Sequence, residues 1–339
     1  MSSFAQAKTS EAHRLGLPGE LPAALARFLA AGGKRIRPVL CVLGWHAAGG
    51  TGSCDMAVRV GAALEVFHAF CLVHDDVMDH SDTRRGQPTV HRVMAERHRT
   101  GRSPQQGQDI GAGAAVLAGD LAFVWTDELL HTADPGPSGF WPRVRALFDT
   151  MRSEVIYGQY LDLTATGRPS ADMDRALAIV HYKTAKYTLE RPLQIGAALA
   201  GADTHVLDQL SAFALPLGEA FQLRDDLLGV FGTPTETGKP RLDDLREGKH
   251  TALIAHTLTH ATRARADQLR LLLGCPTLTE DQAEVARRII THAGSREAIE
   301  RMITDRYEQA LAALDRAHLP AHVDTRLREL AQQAAWRTS

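Results

Sequence analysis

Apolar residues recur at three- and four-residue intervals along almost the whole chain, with polar and charged residues between them. This period is that of an α-helix, and no stretch alternates apolar and polar residues as a half-buried strand does. Glycines and prolines interrupt the pattern and supply helix ends. The pattern predicts helices over residues 21–31, 37–48, 54–80, 89–98, 109–132, 141–165, 171–200, 204–231, 242–260, 264–273, 280–292, 296–317 and 321–336.

The composition favours an all-α fold with one large core, because 44% of the residues are hydrophobic and only 6% are aromatic. No composition break or internal repeat divides the 339 residues. We expect an N-terminal arm (residues 1–20) and one domain (residues 21–339). Long helices with acids at their ends, such as the predicted one over 54–80, suit a single large helical bundle around a deep central cavity.

The net charge of −2 gives no electrostatic case for nucleic-acid binding. No uninterrupted apolar run reaches the ~18 residues of a membrane span, and the first residues lack the basic and apolar regions of a signal peptide. The four cysteines show no metal-binding spacing, so we expect most of them to be buried small hydrophobes in a reducing compartment. These features predict a soluble, cytoplasmic protein.

Two aspartate-rich segments, about 150 residues apart, carry the strongest chemical signal. Asp75 and Asp79 are four residues apart, so a helix places them on one face, roughly 6 Å from each other. Their mutual repulsion is relieved by a hard divalent cation, and Mg²⁺ takes one or two carboxylates and completes its shell with water and phosphate oxygens. Asp225 and Asp226 form the second segment. The two segments predict metal-dependent diphosphate binding.

A pair of aspartates on a helix is more often a solvated face or a partner of the helix dipole. Asp243 and Asp244, which precede a charged stretch, are open to that interpretation. The first segment is different, because apolar residues surround Asp75 and indicate a helix whose acids face inward.

A third element, Gly32–Pro38 (GGKRIRP), places three cations within four residues after two glycines. Arginine forks and a lysine point charge match diphosphate oxygens. Alone, the string is equally typical of a solvated turn. Together with both acidic segments it becomes specific.

These segments resemble the trans-isoprenyl diphosphate synthases, the polyprenyl synthetase family. The matching motifs stand in the family's order: GGKRIRP, EVFHAFCLVHDDVMDHSDTRRG from Glu65, Gly158–Tyr160, Lys183-Thr184, and FQLRDDLLGVFGTPTETGKPRLDDLREGKHT from Phe221. The resemblance implies the isoprenoid synthase type I fold, a homodimer and three Mg²⁺ ions per active site. It implies head-to-tail condensation of isopentenyl diphosphate with an allylic diphosphate (dimethylallyl, geranyl or farnesyl).

The resemblance also assigns roles to residues. It implies that the metal ligands are Asp75, Asp79 and Asp225. It implies that the catalytic residues are these three together with Asp76 and Lys183. Isopentenyl diphosphate is implied to contact Lys34, Arg37, His68 and Arg85. The allylic site is implied to contain Arg84, Lys183, Thr184, Gln222, Lys239 and Lys249. A lone helical histidine such as His68 is otherwise more often a core residue, and Thr184 could equally bond a helix carbonyl.

One position departs from the family's pattern. The second acidic motif is commonly DDxxD, whereas residue 229 is glycine. The number of metal ligands there is therefore open, and we expect Gly229→Asp to be tolerated. The alternatives are a class I terpene cyclase, whose metal motif needs other residues at positions 229 and 233, and a non-catalytic regulatory subunit, which typically loses one acidic motif.

Product length is predicted from the helix that carries Asp75. Phe70 lies five residues before Asp75, about 7.5 Å along the axis, and Phe67 recurs on the same face. Phe70 is the expected floor of the product tunnel, with Phe67 on its wall, unless both are ordinary core residues. Cys71, one position nearer to Asp75, is not aromatic. This pattern is closer to that of geranylgeranyl (C20) synthases than to that of farnesyl (C15) synthases.

Overall fold

The computed structural model describes residues 1–133, 139–232 and 242–336. The regular structure in these ranges is helical except for one short hairpin, which confirms the all-α prediction. The helices form two compact units. The first comprises Met1–Val39 with Asp55–Gly136, and the second comprises Leu40–Cys54 with Pro137–Ser339.

The first unit is built around two long helices that pack side by side. Its elements are α1 (Ser2–Arg14), α2 (Glu20–Ala30), the start of α3 (Ile36–Ala47), α4 (Asp55–Met78), α5 (Val90–Arg97) and α6 (Pro104–Ala133). α4 and α6 run in opposite directions, since Arg59 contacts Thr132 while His74 contacts Val116. The sequence pattern missed α1, although its Ala5 is buried in the core of this unit.

A two-stranded antiparallel hairpin follows α4. Strands β1 (Thr83–Arg84) and β2 (Gln87–Pro88) flank a turn formed by Arg85 and Gly86. Both turn residues have positive φ, +54° and +71°, which matches the twist of a two-residue hairpin. This turn fixes where two consecutive arginines, Arg84 and Arg85, leave the backbone.

The second unit holds the remaining helices. They are α7 (Trp141–Ala165), α8 (Met173–Ile179), a π-helix (Val180–Glu190), α9 (Arg191–Leu199), α10 (Thr204–Phe231), α11 (Asp243–Glu247), α12 (Ala252–His260), α13 (Arg263–Leu272), α14 (Glu280–His292), α15 (Ser295–Ala317) and α16 (Ala321–Trp336). Leucine and isoleucine side chains of α10, α12, α14 and α15 form its main core. The bounds of α7, α10, α14 and α16 agree with the sequence pattern.

Two predicted helices of this unit are interrupted. Residues 171–200 contain α8, the π-helix and α9 instead of one α-helix. Residues 242–260 break at Gly248, whose left-handed backbone (φ +66°) ends α11. Apolar periodicity continues across both interruptions, so the sequence pattern does not reveal them.

Two helices, Asp55–Met78 and Pro104–Ala133, are long and apolar enough to pass a composition test for membrane spans, and more than half of the relevant stretch of α4 is buried within the protein. Burial of a core helix explains the composition of α4. The cysteine prediction was wrong in part. All four cysteines are free, but only Cys41 is buried, while Cys54, Cys71 and Cys275 are partly exposed.

Candidate active site

The first acidic segment lies at the carboxyl end of α4. The helix ends at Met78, but the Asp79 N–H still donates to the Asp75 carbonyl at 2.8 Å, so the helical spacing of these two residues persists. Asp75 and Asp79 are partly exposed, whereas Asp76 is only 1% exposed. Two accessible carboxylates on one face are suited to a cation that keeps part of its water shell.

Asp76 lies behind this pair and is stabilised by Arg84. The Arg84 Nε donates to Asp76 Oδ1 at 2.6 Å, and its Nη2 donates to Asp75 Oδ2 at 3.2 Å. Burial raises the pKa of Asp76 to about 6, against the opposing effect of Arg84. Within the described residues, Asp76 Oδ2 is buried and has no hydrogen-bond partner. The acidic end of α4 therefore has unused capacity for a proton or a metal ion.

A group of cations surrounds His68, two turns earlier on α4. Burial lowers the pKa of His68 well below its usual value, and Arg37, Arg85, Arg84 and Arg35 lower it further. The imidazole is therefore neutral at pH 7. Arg37 is 9% exposed, and Lys34 is exposed in the loop before it. The structure thus brings Arg37, His68, Arg84 and Arg85 together, as a diphosphate site requires.

The loop before α3 approaches Arg85 closely. The Arg85 Nη1 donates to the Gly32 carbonyl, and its guanidinium lies over the Phe28 ring at 5.8 Å. Gly33 has φ +133°, and a Cβ there would lie 2.8 Å from Arg85 Nη2. The positive φ favours glycine at this position, and the absence of a Cβ leaves room for the Arg85 guanidinium. Arg35, the remaining cation of the loop, contacts Glu65 of α4. Neither Arg35 nor Glu65 was among the predicted site residues.

In the second unit, Lys183 and Thr184 lie in the π-helix, a type of segment found often at functional sites. The Lys183 Nζ donates to Asp162 Oδ2 at 2.6 Å. A Cβ at Gly158 would lie 2.5 Å from the Lys183 backbone nitrogen, so Gly158 allows α7 to approach the π-helix. Asp162 was not predicted, because its spacing from Lys183 is not helical.

A hydrogen-bonded chain connects the π-helix to the second acidic segment on α10. The Thr184 hydroxyl donates to Gln222 Oε1 at 2.7 Å, and the Gln222 Nε2 donates to Asp226 Oδ1 at 2.8 Å. Asp226 is 7% exposed, and Asp225 beside it is partly exposed. Burial raises the pKa of Asp226 to about 7, and Asp244 and Asp225 add to this effect. The structure thus joins three of the predicted residues.

Asp244 occupies the space left by the missing third acid. A Cβ built at Gly229 would lie 1.8 Å from Asp244 Oδ2, so the carboxylate of α11 lies against α10 one turn after Asp225. Asp244 Oδ1 is 3.6 Å from the Lys249 Nζ. The interpretation of Asp244 as part of a solvated face was therefore wrong, since it is half-buried beside the acidic segment. Lys239 lies outside the described residues.

The predicted product-length residues belong to an aromatic cluster between α4 and α6. Phe67 is fully buried, whereas Phe70 and Cys71 are partly exposed. The Phe70 ring contacts Phe123 of α6 at 5.2 Å and His74 at 4.7 Å between centroids. Phe67 therefore lies behind Phe70. Phe123 was missed, because a residue on α6 can be placed only once the register with α4 is known.

The described residues contain no convergent group of three or more His, Cys, Asp and Glu side chains of the kind that encloses a metal ion. The available donors are carboxylate oxygens in open positions. These donors fit Mg²⁺, which uses few protein ligands and takes substrate phosphates and water as the others. The unpartnered Asp76 Oδ2 supports the same fit.

The sequence profile of the Polyprenyl synthetase family matches residues 19–291. The chain belongs to the polyprenyl synthetase family. It is therefore a prenyltransferase with the all-α type I isoprenoid synthase fold.

Individual relatives cover most of the chain. A Corynebacterium glutamicum geranylgeranyl pyrophosphate synthase, solved with isoprenyl diphosphate and magnesium, has a TM-score of 0.92 and 37% identity over 99% of this chain and 96% of that one. An Aeropyrum pernix geranylfarnesyl diphosphate synthase is 31% identical over 92% of both chains. A Mycobacterium bovis (2E,6E)-farnesyl diphosphate synthase is 32% identical over 88% of this chain and 78% of that protein. The relatives differ in product length.

Proposed function

We propose that this enzyme uses Mg²⁺ to condense isopentenyl diphosphate head-to-tail with allylic diphosphates, and that its main product is geranylgeranyl diphosphate (C20). The observation that carries the proposal is the placement of two different anion sites along α4. Asp75 and Asp79 offer carboxylates for a metal-bound diphosphate, and the cations around neutral His68 offer direct contacts to a metal-free one. Seven residues separate His68 from Asp75, about 10 Å along a helix.

Different residues bind the two substrates. Asp75 and Asp79 bind Mg²⁺ on the allylic diphosphate, with Asp76 and Arg84 supporting them, and Asp225 binds a further ion. Lys183, Thr184, Gln222, Lys239 and Lys249 belong to the allylic site. Lys34, Arg37, His68 and Arg85 bind isopentenyl diphosphate. We propose three Mg²⁺ ions per active site.

The reaction depends more on stabilisation of the negative charge of the leaving diphosphate than on a side-chain acid or base. When bound, Mg²⁺ supplies Lewis-acid stabilisation of the leaving diphosphate as the allylic C–O bond breaks. Lys183 adds positive charge for the same purpose. The isopentenyl double bond then forms the new C–C bond, and one proton leaves with the departing diphosphate. His68 remains neutral, so it binds the second diphosphate as a hydrogen-bond donor.

Asp244 supports the second metal site despite Gly229. Its carboxylate lies where a longer side chain at position 229 would begin. We propose that Asp244 supplies the negative charge that the third acid of a DDxxD motif supplies elsewhere. The absence of that acid therefore does not remove the second metal site.

The product-length proposal rests on the partly exposed ring of Phe70, about one and a half turns before Asp75. Phe123 contacts it from α6, so the floor of the product tunnel has two aromatic rings instead of one. Two rings at one depth stop the growing chain early and favour C20 or C15 over longer products.

Incubation of the protein with Mg²⁺, isopentenyl diphosphate and each allylic diphosphate tests the function, with product mass as the readout. We expect elongation to C20. A terpene cyclase would release a hydrocarbon or alcohol from an allylic diphosphate alone, and a regulatory subunit would produce neither. A dominant C15 product would refute the chain-length proposal and leave the reaction class intact.

We also propose that the enzyme is a cytoplasmic homodimer. Exposed apolar side chains on α7, Ile156, Tyr157 and Tyr160, provide a surface that a second copy can cover. Light scattering after gel filtration should give twice the chain mass of 36.9 kDa, and a mass of one chain would contradict the dimer.

A further inference from the structure

Arg35 has an unusual backbone and a specific pair of contacts. Its φ is +49°, a left-handed conformation that disfavours side chains other than glycine. Its guanidinium donates through Nη1 to the Glu65 carboxylate and through Nη2 to the Leu29 carbonyl. Leu29 lies in the last turn of α2, where carbonyls lack partners within the helix. A left-handed residue held by its own side chain indicates a functional constraint on the loop.

Glu65 is a buried acid in a basic environment. It is 3% exposed and precedes His68 by three residues, one turn of α4. Its charge raises the pKa of Arg85, although burial lowers that pKa overall. Arg35, Arg37, Arg84 and Arg85 all lie close enough to depress the pKa of His68. Four guanidinium groups repel one another without a bound anion, and Glu65 offsets part of that repulsion.

We propose that Glu65 is a positioning residue for the isopentenyl diphosphate site and acts through Arg35. The pair fixes the loop between α2 and α3, and thereby the position of Arg37 two residues later and of the Gly32 carbonyl that accepts from Arg85. The Arg35 guanidinium therefore donates to groups of the protein and does not bind the diphosphate. It differs in this from Lys34 and Arg37, which belong to the same cation-rich motif. The inference rests on the proposed function.

The test is Glu65→Gln, which keeps the shape of the side chain and removes its charge. Small misplacements of binding groups cost up to about a hundredfold, so we expect the KM for isopentenyl diphosphate to rise about 10- to 100-fold. The kcat and the KM for the allylic substrate should stay within about twofold, because a displaced loop removes binding that is uniform along the reaction. Arg35→Gln should reproduce this pattern, and Arg35→Lys should recover part of the loss.

The double variant Glu65→Gln/Arg35→Gln separates a positioning pair from two independent contributions. If both residues act through one contact, the double variant binds isopentenyl diphosphate no more weakly than either single variant. Glu20→Gln is the matched control, since Glu20 pairs with Arg97 elsewhere in the first unit, and it should leave both KM values unchanged.

Calorimetric titration with isopentenyl diphosphate alone, without Mg²⁺, gives a readout that does not depend on turnover. Weaker binding by folded Glu65→Gln or Arg35→Gln supports the proposal. Wild-type affinity in both variants, additive losses in the double variant, or equal increases in both KM values would overturn it. A wild-type protein that binds isopentenyl diphosphate but elongates no allylic diphosphate would refute the proposed function instead, so the two failures are distinguishable.

Discussion

Replacement of Gly229 by aspartate tests whether Asp244 has taken the place of the missing acid. The family's commoner pattern suggests that an aspartate here is tolerated, and the surroundings of Gly229 predict a loss of stability when no metal is bound. The new Cβ would lie 1.8 Å from Asp244 Oδ2, so the Asp244 carboxylate must rotate away. The new charge would also join Asp225 and Asp226, whose repulsion already contributes to the raised pKa of Asp226.

The expected cost follows from these two effects. The steric contact itself costs little, because only the terminal carboxylate of Asp244 has to rotate. Like charges about 4 Å apart near a protein surface, by contrast, repel by up to about 4 kcal/mol. Mobile side chains and shared protons reduce this repulsion. We therefore expect Gly229→Asp to lower the free energy of unfolding by about 1–3 kcal/mol without metal. Mg²⁺ with inorganic diphosphate should recover most of the loss, because cations relieve the repulsion.

Urea unfolding with and without Mg²⁺ and diphosphate is the assay, and two variants serve as controls. Gly229→Ala has the same steric conflict without the charge, and the helix propensity of alanine offsets about 1 kcal/mol of it, so its stability should stay near wild type. Gly229→Asp/Asp244→Ala moves the acid from α11 to α10 and should be more stable than Gly229→Asp while retaining Mg²⁺-dependent turnover. The reasoning is refuted if Gly229→Asp is as stable as wild type without metal, or if the double variant loses turnover while Asp244→Ala retains it.

Three further predictions concern the first unit. Arg37→Ala should raise the KM for isopentenyl diphosphate at least tenfold more than the KM for the allylic substrate. Arg37→Lys should recover only part of the lost affinity, since lysine lacks a bidentate fork. Equal effects on both KM values in steady-state kinetics would argue against separate sites. Phe70→Ala and Phe123→Ala should each give a longer product with activity retained, and the double variant should give a still longer one, as measured by product mass. A loss of ~3–5 kcal/mol of stability without longer products would instead indicate that the two rings are core residues. The folded-state pKa of His68 lies below its unfolded value, so its contribution to stability is present above about pH 6.5 and is lost as pH falls below that value. His68→Gln should flatten this part of the stability profile, and parallel profiles for both proteins would contradict a neutral imidazole in the folded protein.

The sequence was sufficient for the fold class, and its motifs name several residues that the structure brings together, such as Arg37, His68, Arg84 and Arg85. Asp75, Asp79 and His68 could be grouped because they share one helix, whose period fixes their spacing. The structure keeps that spacing beyond the end of α4. Each of the four helices whose bounds agree has at least 13 residues, and a glycine lies within two positions after the end of α7, α10 and α14.

The remaining features depend on contacts between distant segments. Asp244 is 15 positions after Gly229, and no periodicity relates α11 to α10. Phe123 reaches Phe70 only through the register between two helices. The pairing of Arg35 with Glu65 changes the role of one cation in a motif that looks uniform in the sequence. Such contacts depend on tertiary packing, which a single sequence does not display.

Incorporation of labelled isopentenyl diphosphate into an allylic acceptor, in the presence of Mg²⁺, tests the central claim most directly. We predict that wild type elongates the acceptor and that Asp75→Ala and Asp79→Ala, with unchanged circular dichroism, lose at least about a thousandfold in turnover, because ligands of the metal that stabilises the leaving group are removed. Absence of incorporation by wild type, or near wild-type rates for either variant at saturating Mg²⁺, would contradict it.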